Sequence, residues 1–378
     1  MKSWNCREKT ARKTETGLPG NGTGCEIDAN FKIDIQIKKD GMRFYNSDSK
    51  PFCVHGVFKE NGKYRRIPEN VANSVSDEVL FLHTNTAGGR IRFRTDSKRI
   101  AIIAKMDGIG KMPHFALAGS AGFDMYVDDC YAGSFIPPFD IVTEYESCLN
   151  LDSERMKNIT INFPLYSNLN DLYIGIDEGA TLQSPVPYRH TKPIVYYGSS
   201  ITQGGCASRP GNSYQSILSR LFDCDYVNLG FSGSAKAEDE MIHYISGLDM
   251  SVFVYDYDHN APSIEHLKNT HEKMFKAIRN KNPNLPIIIM SRPKYDLDGQ
   301  EQERLVIIRT TYENAVSEGD KNVYFISGRQ LMSKALDNGT VDKVHPNDFG
   351  FYSMADALGN VLKTILDSTV IIGISYLR

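Results

Sequence analysis

Three side chains of this sequence have the types that acyl transfer requires, and two of them have the spacing. Ser200 lies in residues 196–205, YYGSSITQGG, where an apolar run stops at Gly198 and two hydroxyls follow. A serine hydroxyl is a weak nucleophile until a base takes its proton, and imidazole is the natural base near neutral pH. His345 stands in DKVHP, three residues after Asp342. In a turn, that carboxylate can accept the ring N–H and fix the tautomer. A tetrahedral oxyanion also needs donors. The backbone N–H of Ser200, that of Gly233 in NLGFSG and the side-chain amide of Asn260 in DHN are candidates.

These groups can act only if the chain brings them together. From about residue 193 onward, strand-like runs alternate with helical stretches. The runs are PIVYYG, DYVNLG, SVFVYDY, LPIIIMS and NVYFIS. Helices are expected over 213–221, 236–245, 264–280 and 301–317, with a last one from Pro346 to about Leu366. Five βα units predict a parallel sheet covered on both faces, and near-continuous apolar strands agree. In such a sheet, ligands bind beyond the carboxyl ends of the strands. Ser200, Gly233, Asn260 and the Asp342–His345 turn all follow strands or precede the last helix, so they are expected on one rim.

The front half has a different period. GRIRFRT, FDMYVDD and ITINF alternate apolar and polar residues, and RIAIIAKM and LYIGI are β-rich. Turn clusters such as HTNTAGG, AGSAGF and IPPFD separate them. This pattern predicts a β-sandwich or jelly roll with one wet face per strand. The expected organisation is a polar lead-in over 1–26, a β-sandwich over 27–182, a proline-bearing linker over 183–192 and an α/β/α domain over 193–378.

The blocks around Ser200, Gly233, Asn260 and Asp342/His345 resemble, in order, those of the SGNH (GDSL-like) hydrolases. The front half is similar to the jelly-roll domain of a two-domain subgroup that includes carbohydrate esterases and acyltransferases. The resemblance implies a flavodoxin-like α/β/α domain, Ser200 as nucleophile, His345 as base and Asp342 as its orienter. It implies Ser200, Gly233 and Asn260 as the oxyanion hole, and no metal or organic cofactor. Three positions depart from the family's pattern. Ser199 replaces its Asp, Asp258 its Gly, and Ala261 its trailing Asp.

Other polar residues have blander readings. His259 is a rival base, or a contact to substrate or to the catalytic groups. Asp256 and Asp258 are expected to hold loops by hydrogen bonds. Arg292 and Lys294 leave the fourth strand and can meet an anionic group, though a solvated loop is the plainer reading. Cys206 reads as an ordinary thiol. The seven cysteines are scattered, with no CxxC pair and no Cys/His cluster, so neither a disulfide framework nor a zinc site is expected. The net charge of −3 gives no reason to expect nucleic acid or a lipid surface as partner. No run approaches the roughly 20 apolar residues of a membrane span, and the start of the chain lacks the apolar core of a signal peptide, so a cytoplasmic protein is expected.

The expected function is a serine acyl-ester hydrolase acting on an acetyl or other short acyl group of a carbohydrate or small molecule. An acyltransferase using the same acyl-enzyme is one alternative. A catalytically silent carbohydrate-binding protein is another.

Overall fold

The computed structural model describes residues 36–375, so the lead-in expected over 1–26 lies outside the described residues. The front half folds as two large antiparallel sheets, with a small third one formed by Phe58–Glu60 and Lys63–Arg65. One orders its strands Met42–Asn46, Asp171–Asp177, Arg99–Lys105 and Glu144–Asn150. The other runs Leu182–Gln183, Arg90–Thr95, Lys157–Asn162, Phe123–Val127 and Cys130–Phe135, with Cys53–His55 also on Arg90–Thr95. Ile91, Phe93, Ile102, Ile161 and Ile174 are fully buried between the sheets. Each sheet contributes alternate residues to that core, as period 2 requires.

One expectation fails here in a useful way. The charged positions of GRIRFRT were expected to face water, yet Arg90 and Arg92 are buried. Their face is covered by the second half of the chain. The Arg90 guanidinium donates to the Tyr188 hydroxyl (2.8 Å) and the Tyr226 carbonyl (3.2 Å), and pairs with the Asp225 carboxylate. Alternation identifies the face, but not what covers it.

The second half is a five-stranded parallel sheet. Its strands, in spatial order, are Cys224–Gly230, His190–Gly198, Val252–Asp256, Ile287–Met290 and Val323–Ile326. The chain's first strand is second in that order, so the path reverses direction beside it. Helices Tyr214–Phe222 and Asp348–Ser375 pack on one face, and Asp239–Ser246, Ile264–Lys281 and Gly299–Ser317 on the other. The first strand begins at His190, inside the expected linker, and passes through Pro193. Pairing is irregular between His190 and Ile194, which is how a strand tolerates a residue without an N–H. The last helix starts at Asp348 and runs to Ser375, nine residues past the expected end.

The front half also supplies short helices not expected from its β-rich pattern, Glu69–Val75, Asp77–Leu82 and Leu117–Ser120. Ala72, Val79 and Leu82 complete an apolar core on the parallel sheet. Arg66, just before them, donates to the carbonyls of Leu82 (2.7 Å) and Gly230 and stacks 4.5 Å from the Phe231 ring. The front half is thereby fastened to the strand end that carries the Gly233 turn. Among the described residues, no helix is long and apolar enough to cross a membrane.

Candidate active site

The strand His190–Gly198 ends where only glycine fits. A Cβ on Gly198 would lie 2.2 Å from the Asp256 carbonyl and 2.3 Å from the Thr202 hydroxyl. Ser199 follows in extended conformation, and its hydroxyl accepts from the N–H of Ile201 (3.2 Å). Serine therefore caps the helical turn Ser200–Gln203, a task that aspartate performs equally well. The departure from the family's Asp leaves the local structure intact. Gly204, at φ +106°, closes the turn, and the Tyr166 hydroxyl donates to the Ser200 carbonyl (3.1 Å). The peptide of Ser200 is thus held from both sides.

Ser200 Oγ lies 2.9 Å from Nε2 of His345, and His345 Nδ1 lies 2.7 Å from Oδ2 of Asp342. The other Asp342 oxygen accepts from the backbone N–H of His345 (2.7 Å) and of Val344 (3.1 Å). Burial pushes the Asp342 carboxyl up, but these hydrogen bonds outweigh it and hold the pKa at about 2. An ionised carboxylate only accepts, so Nδ1 carries the proton and Nε2 presents its lone pair to the serine. Pro346 was expected in the helix's first turn. Instead it pairs with Thr340 in an isolated bridge, ahead of the helix.

Two backbone donors at these strand ends, the N–H groups of Ser200 and Gly233, make no hydrogen bond among the described residues. Gly233 sits at φ +72°, in a turn tied by Phe231 N–H to the Gly198 carbonyl (2.8 Å) and Ser232 N–H to Gln203 Oε1 (3.0 Å). The Asn260 amide nitrogen donates to the Phe231 carbonyl (2.8 Å), which leaves its second N–H available. Because a carbonyl cannot donate, this contact also fixes which end of the amide is nitrogen.

The remaining candidates divide. Asp258 is buried and accepts from Arg292 Nε (2.8 Å), Arg292 Nη2 (3.1 Å) and Arg304 Nε (2.7 Å). Burial pushes its pKa up, but the two guanidiniums hold it below the usual carboxylate value. Arg292 also bonds Glu301 (2.9 Å), so it is a brace for the turn before Asn260, not a solvated loop. Arg304, which no sequence pattern marks, donates as well to the Ala261 carbonyl (2.8 Å). The expectation for Asp256 fails: both oxygens are buried without a hydrogen bond among the described residues. Burial, then the neighbouring Asp258 charge, push its pKa well above the usual carboxylate value. His259 is half-buried, with Nε2 enclosed and unpartnered among the described residues, and desolvation pulls it down to about 4. The base that touches Ser200 is His345.

Two turn segments of the front half could approach the site from the sequence alone, and other groups there carried no signal. HTNTAGG and AGSAGF both reach the site: Asn85 accepts from Gln203 Nε2 (3.2 Å), and Gly119 abuts the Ala207 carbonyl. His114 and Phe115 place their rings 5.6 and 6.0 Å from that of His345. A Cys/His cluster, not expected, is formed by His114, Cys206 and His345, whose donor atoms lie within 4.8 Å of one another. Residues 92 and more positions apart meet only in the fold, so spacing could not reveal it.

A hydroxyl, an imidazole and a carboxylate in series at the strand ends of a parallel sheet, fronted by a β-sandwich, define a serine hydrolase of two-domain build. Comparison with known proteins agrees. Residues 191–363 match the GDSL-like Lipase/Acylhydrolase family, and residues 42–182 match the N-terminus of Esterase_SGNH_hydro-type proteins. A structure described as a GDSL-like lipase from Bacteroides ovatus ATCC 8483 is 28% identical, covers 86% of this chain and 98% of its own, and gives a TM-score of 0.77. The salicylyl-acyltransferase SsfX3 from a tetracycline biosynthetic pathway is 18% identical over 85% of this chain and 96% of its own, with a TM-score of 0.70. A family two carbohydrate esterase from Clostridium thermocellum, in complex with cellohexaose, is 17% identical over 75% and 94%, with a TM-score of 0.57. No curated protein matches. The chain belongs to the SGNH (GDSL-like) hydrolase family and is a serine esterase of the type with an N-terminal jelly-roll domain.

Proposed function

We propose that the protein hydrolyses short acyl esters of a carbohydrate or small molecule through an acyl-enzyme on Ser200. The observation that carries this reading is the unbroken series Ser200 Oγ, His345, Asp342, with contacts of 2.9 and 2.7 Å. His345 Nε2 takes the hydroxyl proton as Oγ attacks the ester carbonyl. The alkoxide that forms meets the N–H groups of Ser200 and Gly233 and the Asn260 amide, and Asp342 stabilises the imidazolium. His345 then gives its proton to the leaving alcohol, and a water repeats the sequence to release the acid.

A cavity of about 680 Å³ supports a small organic substrate. It opens beside the Gly233 turn and is lined by Phe81, Ile109, Met112, Tyr166, Ser232 and Ser234 among others. Mixed apolar walls with a few polar groups suit an acyl or alcohol moiety. The carbohydrate preference rests on the carbohydrate esterase with the same fold. The likeness to an acyltransferase favours a second reading, in which an alcohol or amine replaces water.

Initial rates on p-nitrophenyl acetate, butyrate and octanoate, with and without added acceptor alcohols, test both. Fastest release from acetate, unchanged by acceptors, is expected. Acyl transfer to an acceptor in preference to water would give the second reading. A preference for octanoate would overturn the short-acyl assignment.

A further inference from the structure

Beyond its part in the serine chemistry, His345 belongs to a second constellation. One donor atom each from His114, Cys206 and His345 fall within 4.8 Å of one another. The three come from the front half, the loop after the nucleophile and the last loop. His345 would release the Ser200 hydroxyl to take an ion, while the other two have donor atoms without a hydrogen bond among the described residues. Cys206 Sγ makes no hydrogen bond among the described residues. The His114 side chain is 37% exposed, and its nearest charged neighbour is the Asp342 carboxylate, 4.0 Å from Nε2. The chain also holds Cys206 at φ +72°, a region that residues with a Cβ seldom occupy. Such outliers collect at functional sites.

We propose that His114, Cys206 and His345 bind a thiophilic divalent cation, Zn2+ foremost, and that the bound ion silences the esterase; the silencing rests on the reading of His345 as base. Two imidazoles and one thiolate, with water in the fourth position, suit zinc. Magnesium and calcium prefer oxygen donors and are not served here. Closing on an ion at ~2.0–2.3 Å needs the donors to approach by roughly 1 Å, which the exposed His114 ring can supply. On binding, the Cys206 S–H bond breaks and its proton leaves to solvent, while the sulfur–metal bond forms. The His345 Nε2 lone pair passes from the Ser200 hydroxyl to the ion. No oxidation state changes. Asp342 continues to accept from Nδ1–H, which is the outer support that metal-bound histidines generally have.

The test uses the full chain titrated with Co2+, read by the thiolate-to-cobalt charge-transfer absorption, beside Cys206→Ser and His114→Ala. In parallel, Zn2+ is titrated into an ester assay and removed with a chelator. The wild type is expected to develop the band and lose turnover reversibly. Cys206→Ser should lose the band, keep basal turnover and need about tenfold or more Zn2+ for inhibition. His114→Ala should bind about tenfold or more weakly. No band in the wild type, or a band undiminished in both variants, overturns the site. A lost band with unchanged zinc inhibition overturns the silencing. A band of the expected behaviour without turnover of any ester would support the metal site and count against the esterase reading instead.

Discussion

The carboxylate of Asp342 holds His345 twice, through the backbone N–H and through ring Nδ1, both at 2.7 Å. One oxygen sets the turn and the other sets the tautomer. The two jobs separate on substitution.

Asp342→Asn retains an oxygen that can accept one of these bonds but offers an NH2 at the other, and removes the charge that stabilises the imidazolium. The imidazole then has reason to adopt the wrong tautomer. We expect kcat to fall by about 10⁴-fold with little change in KM. Steady-state kinetics on p-nitrophenyl acetate checks this. A loss under tenfold would mean that Asp342 only shapes the turn.

Asn260 makes one bond inward, to the Phe231 carbonyl, and has one N–H to spare. Asn260→Ala should raise the barrier by about 2.7–4 kcal/mol, expressed mainly in kcat. If the rate changes less than twofold while stability falls, the inward bond is the whole of its role.

Much of this was legible in advance. Alternation in ITINF and the apolar run of PIVYYG gave strands close to those observed, because burial on one face or two leaves a direct mark on sequence. The order of the polar segments placed Ser200, Gly233, Asn260 and His345 on one rim, and the parallel topology put them there. What escaped depended on contacts between distant residues. Arg90 looked solvent-facing until the second half covered it. Tyr166, Arg66 and Cys206 carry no local pattern that says they face Ser200, Gly230 and His345. The helix Asp77–Leu82 did leave a signal: Ser76 caps it by accepting from Val79 N–H, and two acidic residues follow. Its shortness, among strands, hid it.

Arg292 and Arg304 share the buried Asp258, and the turn they hold carries Asn260. Arg292→Ala strips two of the hydrogen bonds from that carboxylate. A loss of about 3 kcal/mol in unfolding free energy is expected, the lower end for a broken buried pair because Arg304 stays. Urea unfolding measures it. A change under about 0.5 kcal/mol, the size of an ordinary surface substitution, would show that the brace is dispensable.

Acid should destabilise the protein through two enclosed histidines. Burial pulls His259 down to about 4 and His271 to about 3, against 6.5 for the free side chain. Between those values the unfolded chain binds protons that the folded chain refuses. Their contribution is therefore fully present above pH 6.5 and is lost as pH falls toward 4 and 3. Tm should drop through this window, and His271→Gln should flatten the slope. A Tm independent of pH across it would contradict the lowered pKa of both rings.

The central claim is that Ser200 is the activated nucleophile. The most direct measurement is reaction of the intact protein with a fluorophosphonate, followed by peptide mapping of the adduct, with Ser200→Ala alongside. A single phosphonylated residue, Ser200, is expected, with no adduct in the variant while its circular dichroism stays unchanged. Labelling at another residue, or none at all in the wild type, would contradict the central claim.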